Sequence, residues 1–326
     1  VDGRLRGVVG TIAARVGSAL LVVWATATIV FFALRVSGDP LEAVMGGPGS
    51  QAGPEAQAAA AATYGFDQPL IVQYLRQLWQ VLTLQFGDSY TRKQPVVDLI
   101  AANFPSTALL ATLALLLAWV LAVAGVLIAQ TSRGRAGQLV RSTLHGLETI
   151  ASVTPQFFLG AILILVLASG LGWFPVTGSG ASALVLPVIT LAVPVAGYLA
   201  HVMHGSLAEA DAAPFALSAR ARGASEARVV LTHTLRHAAL PALALSGWAY
   251  GSLLSGAVVV EALFARPGLG RLLLEAATGR DVPVVIGSVS IIALSYVVIM
   301  LVSDAIEIAV DPRLRPAPRR VQEVAL

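Results

Sequence analysis

The chain has 326 residues, of which 56% are hydrophobic and only 12% charged, with a mean hydropathy of +0.79. Soluble domains carry about 25% charged residues and a single core stops growing near about 250–300 residues, so the composition argues against a soluble enzyme, excludes disorder and makes an integral membrane protein the default. The chain has no cysteine, which removes disulfides, thiolate metal sites and cysteine nucleophiles, and its net charge of +3 rests on 20 arginines and one lysine whose placement matters more than their sum.

A membrane-crossing helix needs roughly 20 apolar residues. Uncharged stretches supply six. Val16–Leu34 is the first and the run from Leu99 to Ser132 holds the second. Thr149–Ala208 carries no formal charge and holds two spans, with the Gly- and Pro-containing stretch Gly170–Ser182 as the turn between them. His237–Val260 and Val282–Ser303 are the fifth and sixth. The expected division is a cytoplasmic N-terminus at 1–15, a first span at 16–34, an extracytoplasmic segment at 35–98, a transmembrane core at 99–310 and a cytoplasmic tail at 311–326. Fourteen of the 21 basic residues fall on the side of the termini, among them Arg4, Arg133, Arg220 and Arg315. The positive-inside rule therefore places both termini in the cytoplasm. The one A-x-A in the first span, Ala25–Ala27, lies inside its apolar run, which reads as an uncleaved anchor.

In the outer segment, the stretch from Gly46 to Ala62 reads as loop or weak helix. Tyr74, Leu75, Leu78, Trp79 and Leu82 follow at helical spacing, with Tyr74, Leu78 and Trp79 expected to pack inward. Between spans four and five, Pro214 suits a first helical turn, Phe215–Arg222 continue it, and Gly223 ends it in the manner of a C′ glycine. Ser225 can cap a second helix, with Glu226 complementing its dipole, and that helix is expected to run to Leu240–Pro241, where span five begins. A helix as short as the first is unstable alone, so a docking partner would explain it.

Chemistry-bearing motifs are mostly absent. A Walker A loop needs a lysine beside Ser or Thr, and the only lysine, Lys93, lies between Arg92 and Gln94. No H-E-x-x-H or G-x-S-x-G occurs. His201/His204 and His233/His237 have metal-compatible spacings, but no third ligand is evident in sequence, so polar residues at helix ends are the preferred reading. Glu148, Asp304 and Glu307 sit at span boundaries, where solvation or capping accounts for them. Gly247/Gly251 and Ser252/Gly256 form small-x-x-x-small patterns, read as helix packing, with a pathway wall as the sharper alternative. Pro155, Pro187, Pro194 and Pro241 lie in or at the ends of spans and are expected to kink them.

The run Ala219–Arg220–Ala221–Arg222–Gly223, followed by Leu240–Pro241, resembles the EAA loop of ABC importer permeases, and of the peptide/nickel-type permeases in particular. Further matches follow in order: Gly38–Pro40, Gly65–Leu70 with Gln73–Tyr74, Phe86–Ser89, Pro155–Phe157, Gly256–Ala257 with Glu261 and Phe264, Pro267–Gly270, and Asp311–Arg313. Departures are His201 and His204, where family members often carry arginines, Phe215–Ser218 at the loop entry, and His237 in place of an asparagine. The resemblance implies an all-α type I importer permease with six transmembrane helices. It implies a coupling loop at 209–238 with Phe215, Ala219, Arg220, Ala221, Arg222, Gly223 and Pro241 as its contact residues. It further implies a second homologous permease, two cytoplasmic ATPase subunits or domains that bind ATP and Mg, an extracytoplasmic substrate-binding protein, and a bacterial plasma membrane location. No cofactor, metal or nucleic acid is expected on this chain, and short peptides are the preferred substrate over nickel or another small solute. An ion-driven secondary transporter would favour carboxylates at the midplane, and an intramembrane enzyme would need the missing motifs.

Overall fold

The computed structural model describes residues 2–38, 40–45, 53–132, 134–178 and 180–310. The expected tail at 311–326, with Arg313, Arg315, Arg319 and Arg320, lies outside the described residues, as do Asp39, Arg133 and 46–52. The side chains of residues 1–16, His233 and Glu307 are likewise outside them.

Every regular element among the described residues is helical. On the first half of the chain these are α1 (Asp2–Ser37), α2 (Pro40–Val44), α3 (Pro54–Tyr64), α4 (Leu70–Thr83) and α5 (Val96–Thr131). Then come α6 (Gly134–Val153), α7 (Gln156–Leu163) with a π-helical continuation over Ile164–Gly170, and α8 (Ser182–Ala212). The short α9 (Pro214–Ala221) and α10 (Glu226–Val229) lead through a second π segment, Val230–Thr234, into α11 (Leu235–Ala244). The chain ends in α12 (Ser246–Leu263), α13 (Leu269–Thr278) and α14 (Val282–Val310).

Three of these, α5, α8 and the 282–306 part of α14, are long and apolar enough to cross a membrane, and five spans result if each of two bent pairs counts as one. Among the described side chains of α1, Leu20–Ala33 form a further apolar stretch. The third expected span is not straight. Pro155 cannot donate a helical hydrogen bond, and α6 meets α7 with its π continuation at 109°. The fifth is bent by 51° between α11 and α12. Pro241 does not start that span. It lies inside α11, and the break comes at Leu245, whose N–H still reaches the Pro241 carbonyl at 3.1 Å.

The main core joins α5, α8, α11 and α12. Along α5 the fully buried residues include Leu110, Ala111, Ala114, Ala118, Ala122 and Val126, and the alanines form a seam of small side chains at helical spacing that lets α8 lie close. On α8, Gly197 faces the α6 backbone so closely that a Cβ there would stand 2.5 Å from the Glu148 carbonyl oxygen. A second core gathers Val23, Ala27, Phe86, Val96, Leu272 and Val285 from α1, α5, α13, α14 and the segment before α5.

The helix expected around Tyr74 is present as α4, with Tyr74 and Leu78 facing inward as expected, Leu78 against the second core, and only Trp79 turned the other way. Gln77 and Val81 are its buried residues. The Tyr74 hydroxyl lies 2.7 Å from Thr28 Oγ1 on α1, whereas Trp79 is 66% exposed together with Leu75 and Leu82. Residues 75, 79 and 82 share a face distinct from that of 74, 77 and 81, and α1 selects the second.

Candidate functional site: the elbow after α9 and the ties at the far end

The α9 elbow is built from local signals. Pro214 occupies the first turn, and the N–H of Gly223 bonds to the Arg220 carbonyl at 2.9 Å while that of Ala224 reaches the Ala219 carbonyl at 3.2 Å. This paired closure requires a left-handed residue, and Gly223 has φ of +83°. Nothing lies within 4 Å of where its Cβ would stand, so the demand for glycine is conformational rather than steric. Ser225 Oγ then accepts the Arg228 N–H at 3.4 Å, capping α10 as its position suggested.

Ala216, Ala219 and Val229 are buried in a small cluster of their own, packed by Ala224. Arg220 ties the elbow shut. Its guanidinium donates to both Glu226 carboxylate oxygens at 2.9–3.1 Å, to the Asp211 carbonyl at 3.0 Å and to Asp211 Oδ1 at 3.2 Å. Those bonds, foremost the ones to Glu226, hold the guanidinium above its ordinary pKa. Arg220 therefore spends its donors inside the chain. Leu217 (56% exposed), Ala221 and Arg222 face outward, and Phe215 is partly exposed with its ring 4.7 Å from that of His237. Pro241, expected in the same group, lies beyond the elbow in α11.

The small residues of α12 pack against neighbouring helices. A Cβ on Gly247 would meet Ser303 Oγ of α14 at 3.2 Å, and one on Gly251 would meet the Tyr296 ring at 2.5 Å. Gly256 faces the Gln156 amide of α7, and Ser252 is half-buried.

Two buried carboxylates tie the opposite end, and sequence reading had matched one of them only as part of a motif. Glu261, 1% exposed, accepts from Thr107 Oγ1 at 2.5 Å and from the Arg271 N–H at 3.0 Å, at the N-terminus of α13 where the helix dipole favours an anion. Thr107 Oγ1 in turn accepts the Leu269 N–H at 2.8 Å. Asp281, also 1% exposed, accepts from Ser89 Oγ, Thr91 Oγ1 and the N–H groups of Tyr90 and Thr91 at 2.5–3.1 Å. This pins the segment before α5 to the start of α14. Burial, and then the charge of Asp281, push the Tyr90 phenol well above its ordinary range.

The histidines are arranged differently from the sequence pairs. His204 meets not His201 but Glu148, at 3.1 Å, and His145, with ring centroids 4.3 Å apart. His201 is exposed. The third group that the sequence did not reveal is thus supplied by α6.

Residues 121–316 match the family described as binding-protein-dependent transport system inner membrane component. The glutathione transport system permease protein GsiC of Salmonella paratyphi A is 34% identical over 296 residues, 89% of this chain and 93% of the relative. GsiC of Escherichia coli K12 is 33% identical over 293 residues, covering 88% and 92%. A crystal structure of an amino acid ABC transporter with histidines aligns with a TM-score of 0.49 at 18% identity, covering 67% of this chain and 95% of that one. By the family match and these identities, the chain belongs to the binding-protein-dependent transport system inner membrane components and is an ABC importer permease, a transport subunit rather than an enzyme.

Proposed function

We propose that the chain is one of two homologous permeases that together enclose a pathway for short peptides in a bacterial plasma membrane. Two cytoplasmic ATPase subunits or domains, binding ATP and Mg, drive it, and an extracytoplasmic binding protein delivers the substrate. The observation that carries this reading is α9: a short helix with Leu217 and Arg222 turned outward, held on a glycine elbow that Arg220 closes from within. Exposed apolar and cationic side chains on a helix this short fit a groove in a partner, and the ATPase is the partner that an importer permease requires on that face. Peptides are favoured over nickel because the GsiC relatives are named for glutathione transport. The outer segment from Arg35 to Asp98, fastened through Asp281, borders the docking surface for the binding protein. Both termini lie inside, and reporter fusions after Gln68 and after Ala224 should report outside and inside respectively.

The test is Gly223→Val. A residue with a Cβ in the left-handed region costs roughly 1–2 kcal/mol, enough to shift the elbow without unfolding the membrane core. Membrane levels of the chain should hold while peptide uptake and co-purification of the ATPases both fall. Wild-type uptake with wild-type ATPase recovery would overturn the assignment of α9.

A further inference from the structure

We propose that His145, Glu148 and His204 form a binding site for a divalent transition-metal ion of the zinc class, clipping α6 to α8 beside the coupling region. The ligand atoms of the three side chains all lie within 4.8 Å of one another. Two imidazoles from different helices converge on one carboxylate oxygen: His204 Nε2 is 3.1 Å and His145 Nδ1 3.5 Å from Glu148 Oε2. A tetrahedral ion with metal–ligand bonds of about 2.0–2.1 Å has its ligand atoms about 3.3 Å apart. The observed separations from the carboxylate oxygen bracket that edge, so small side-chain adjustments suffice to seat an ion.

The surroundings suit a site with one open position. The Glu148 and His204 side chains are 12% and 11% exposed, whereas that of His145 is 49% exposed, so the cluster is closed toward the helix core and open on the His145 side. That side gives an ion its entry and a water molecule the fourth ligand position. Room for the carboxylate is made by Gly125 on α5, where a Cβ would stand 2.9 Å from Glu148 Oε1. His145 and Glu148 are three residues apart on α6 and share one face, and α6 is pressed onto α8 at Gly197. The helix contact that sets the ligand spacing is therefore firm before any ion arrives. Two nitrogens and one oxygen suit zinc, cobalt or nickel. Mg and Ca favour all-oxygen shells, and Cu(I) favours sulfur, of which this chain offers no thiolate. His204 stands ten residues before Pro214, about 15 Å along a helix, so an ion here would stiffen the end of α8 from which α9 projects.

The experiment uses the full chain in its purified complex, with a histidine-free affinity tag on every subunit, stripped by a chelator and titrated with Co2+ and then Zn2+. One Co2+ per chain should bind at micromolar concentration with the visible d–d absorption of a tetrahedral centre, be displaced by Zn2+ and be unaffected by excess Mg2+. His145→Ala and Glu148→Gln should each weaken binding by at least roughly 100-fold, since even losing an outer-shell partner costs up to that much. His201→Ala and His237→Ala should leave it unchanged. Because His145 is half-exposed, its variant keeps the fold, and it should also lose the zinc-dependent rise in thermal unfolding temperature seen for the wild type. No tetrahedral Co2+ spectrum in the wild type, or equal zinc uptake by His145→Ala and the wild type, would overturn the site.

Discussion

The two ends of the molecule are held together in opposite ways. At one end Asp281 and Glu261 are sealed from solvent, and each joins segments far apart in the chain, through Ser89 and Thr107 respectively. At the other end the elbow is closed by Arg220, whose side chain is 28% exposed and whose partners Asp211 and Glu226 lie within nine residues of it. A buried carboxylate that loses its donors, or donors that lose their carboxylate, cost the full desolvation penalty. A half-exposed ion pair is screened and contributes about 1 kcal/mol or less. The end tied by the two carboxylates is therefore built to stay fixed and the elbow to yield, which is what the proposed drive through α9 requires.

The largest expected effect falls on the Asp281 tie. Asp281→Ala leaves four donors without their acceptor, that of Ser89 fully buried and those of Tyr90 and Thr91 partly so, and should cost about 2–3 kcal/mol, read as a lower unfolding temperature in detergent and reduced recovery from membranes. Near-wild-type stability would remove the fixed half of the contrast. Thr107→Val should cost less, roughly 1–2 kcal/mol, because it breaks the links to Glu261 and Leu269 while leaving the Arg271 N–H on the carboxylate. A double-mutant cycle with Glu261→Gln would show the coupling. Arg220→Ala should lower global stability least, by about 1 kcal/mol or less, yet reduce transport severalfold by loosening the elbow. If stability fell as far as for Asp281→Ala, the elbow would be part of the fixed frame rather than a movable element.

Legibility in the sequence divided along the same line. Pro214, Gly223 and Ser225 act within a few residues of themselves, so the elbow could be read from their order alone. The apolar runs likewise placed α5, α8 and α14, because hydrophobic length is a local property. What could not be read depends on distant partners. Glu148 and His204 are 56 residues apart in sequence, Thr107 and Glu261 154, and Ser89 and Asp281 192. Trp79 was expected to face inward because α4 carries apolar residues on two faces, and only the contact of Tyr74 with Thr28 and Phe31 on α1 decides between them. Pro155 announced a break before α7, but the 109° angle follows from how α6 packs on α8, which no local signal encodes.

If α9 is the surface on which the proposed ATPase acts while the end tied by Asp281 stays fixed, a chemical probe on α9 should find that partner. The chain has no native cysteine, so a single introduced thiol reports one position without background. Leu217→Cys, at an exposed position of α9, should cross-link to the ATPase in native membranes, with a yield that changes on adding ATP. Leu75→Cys on α4, equally exposed but at the other end of the molecule, should give no ATPase adduct in either condition. An ATPase cross-link absent from Leu217→Cys, or formed equally from both positions, would contradict the account.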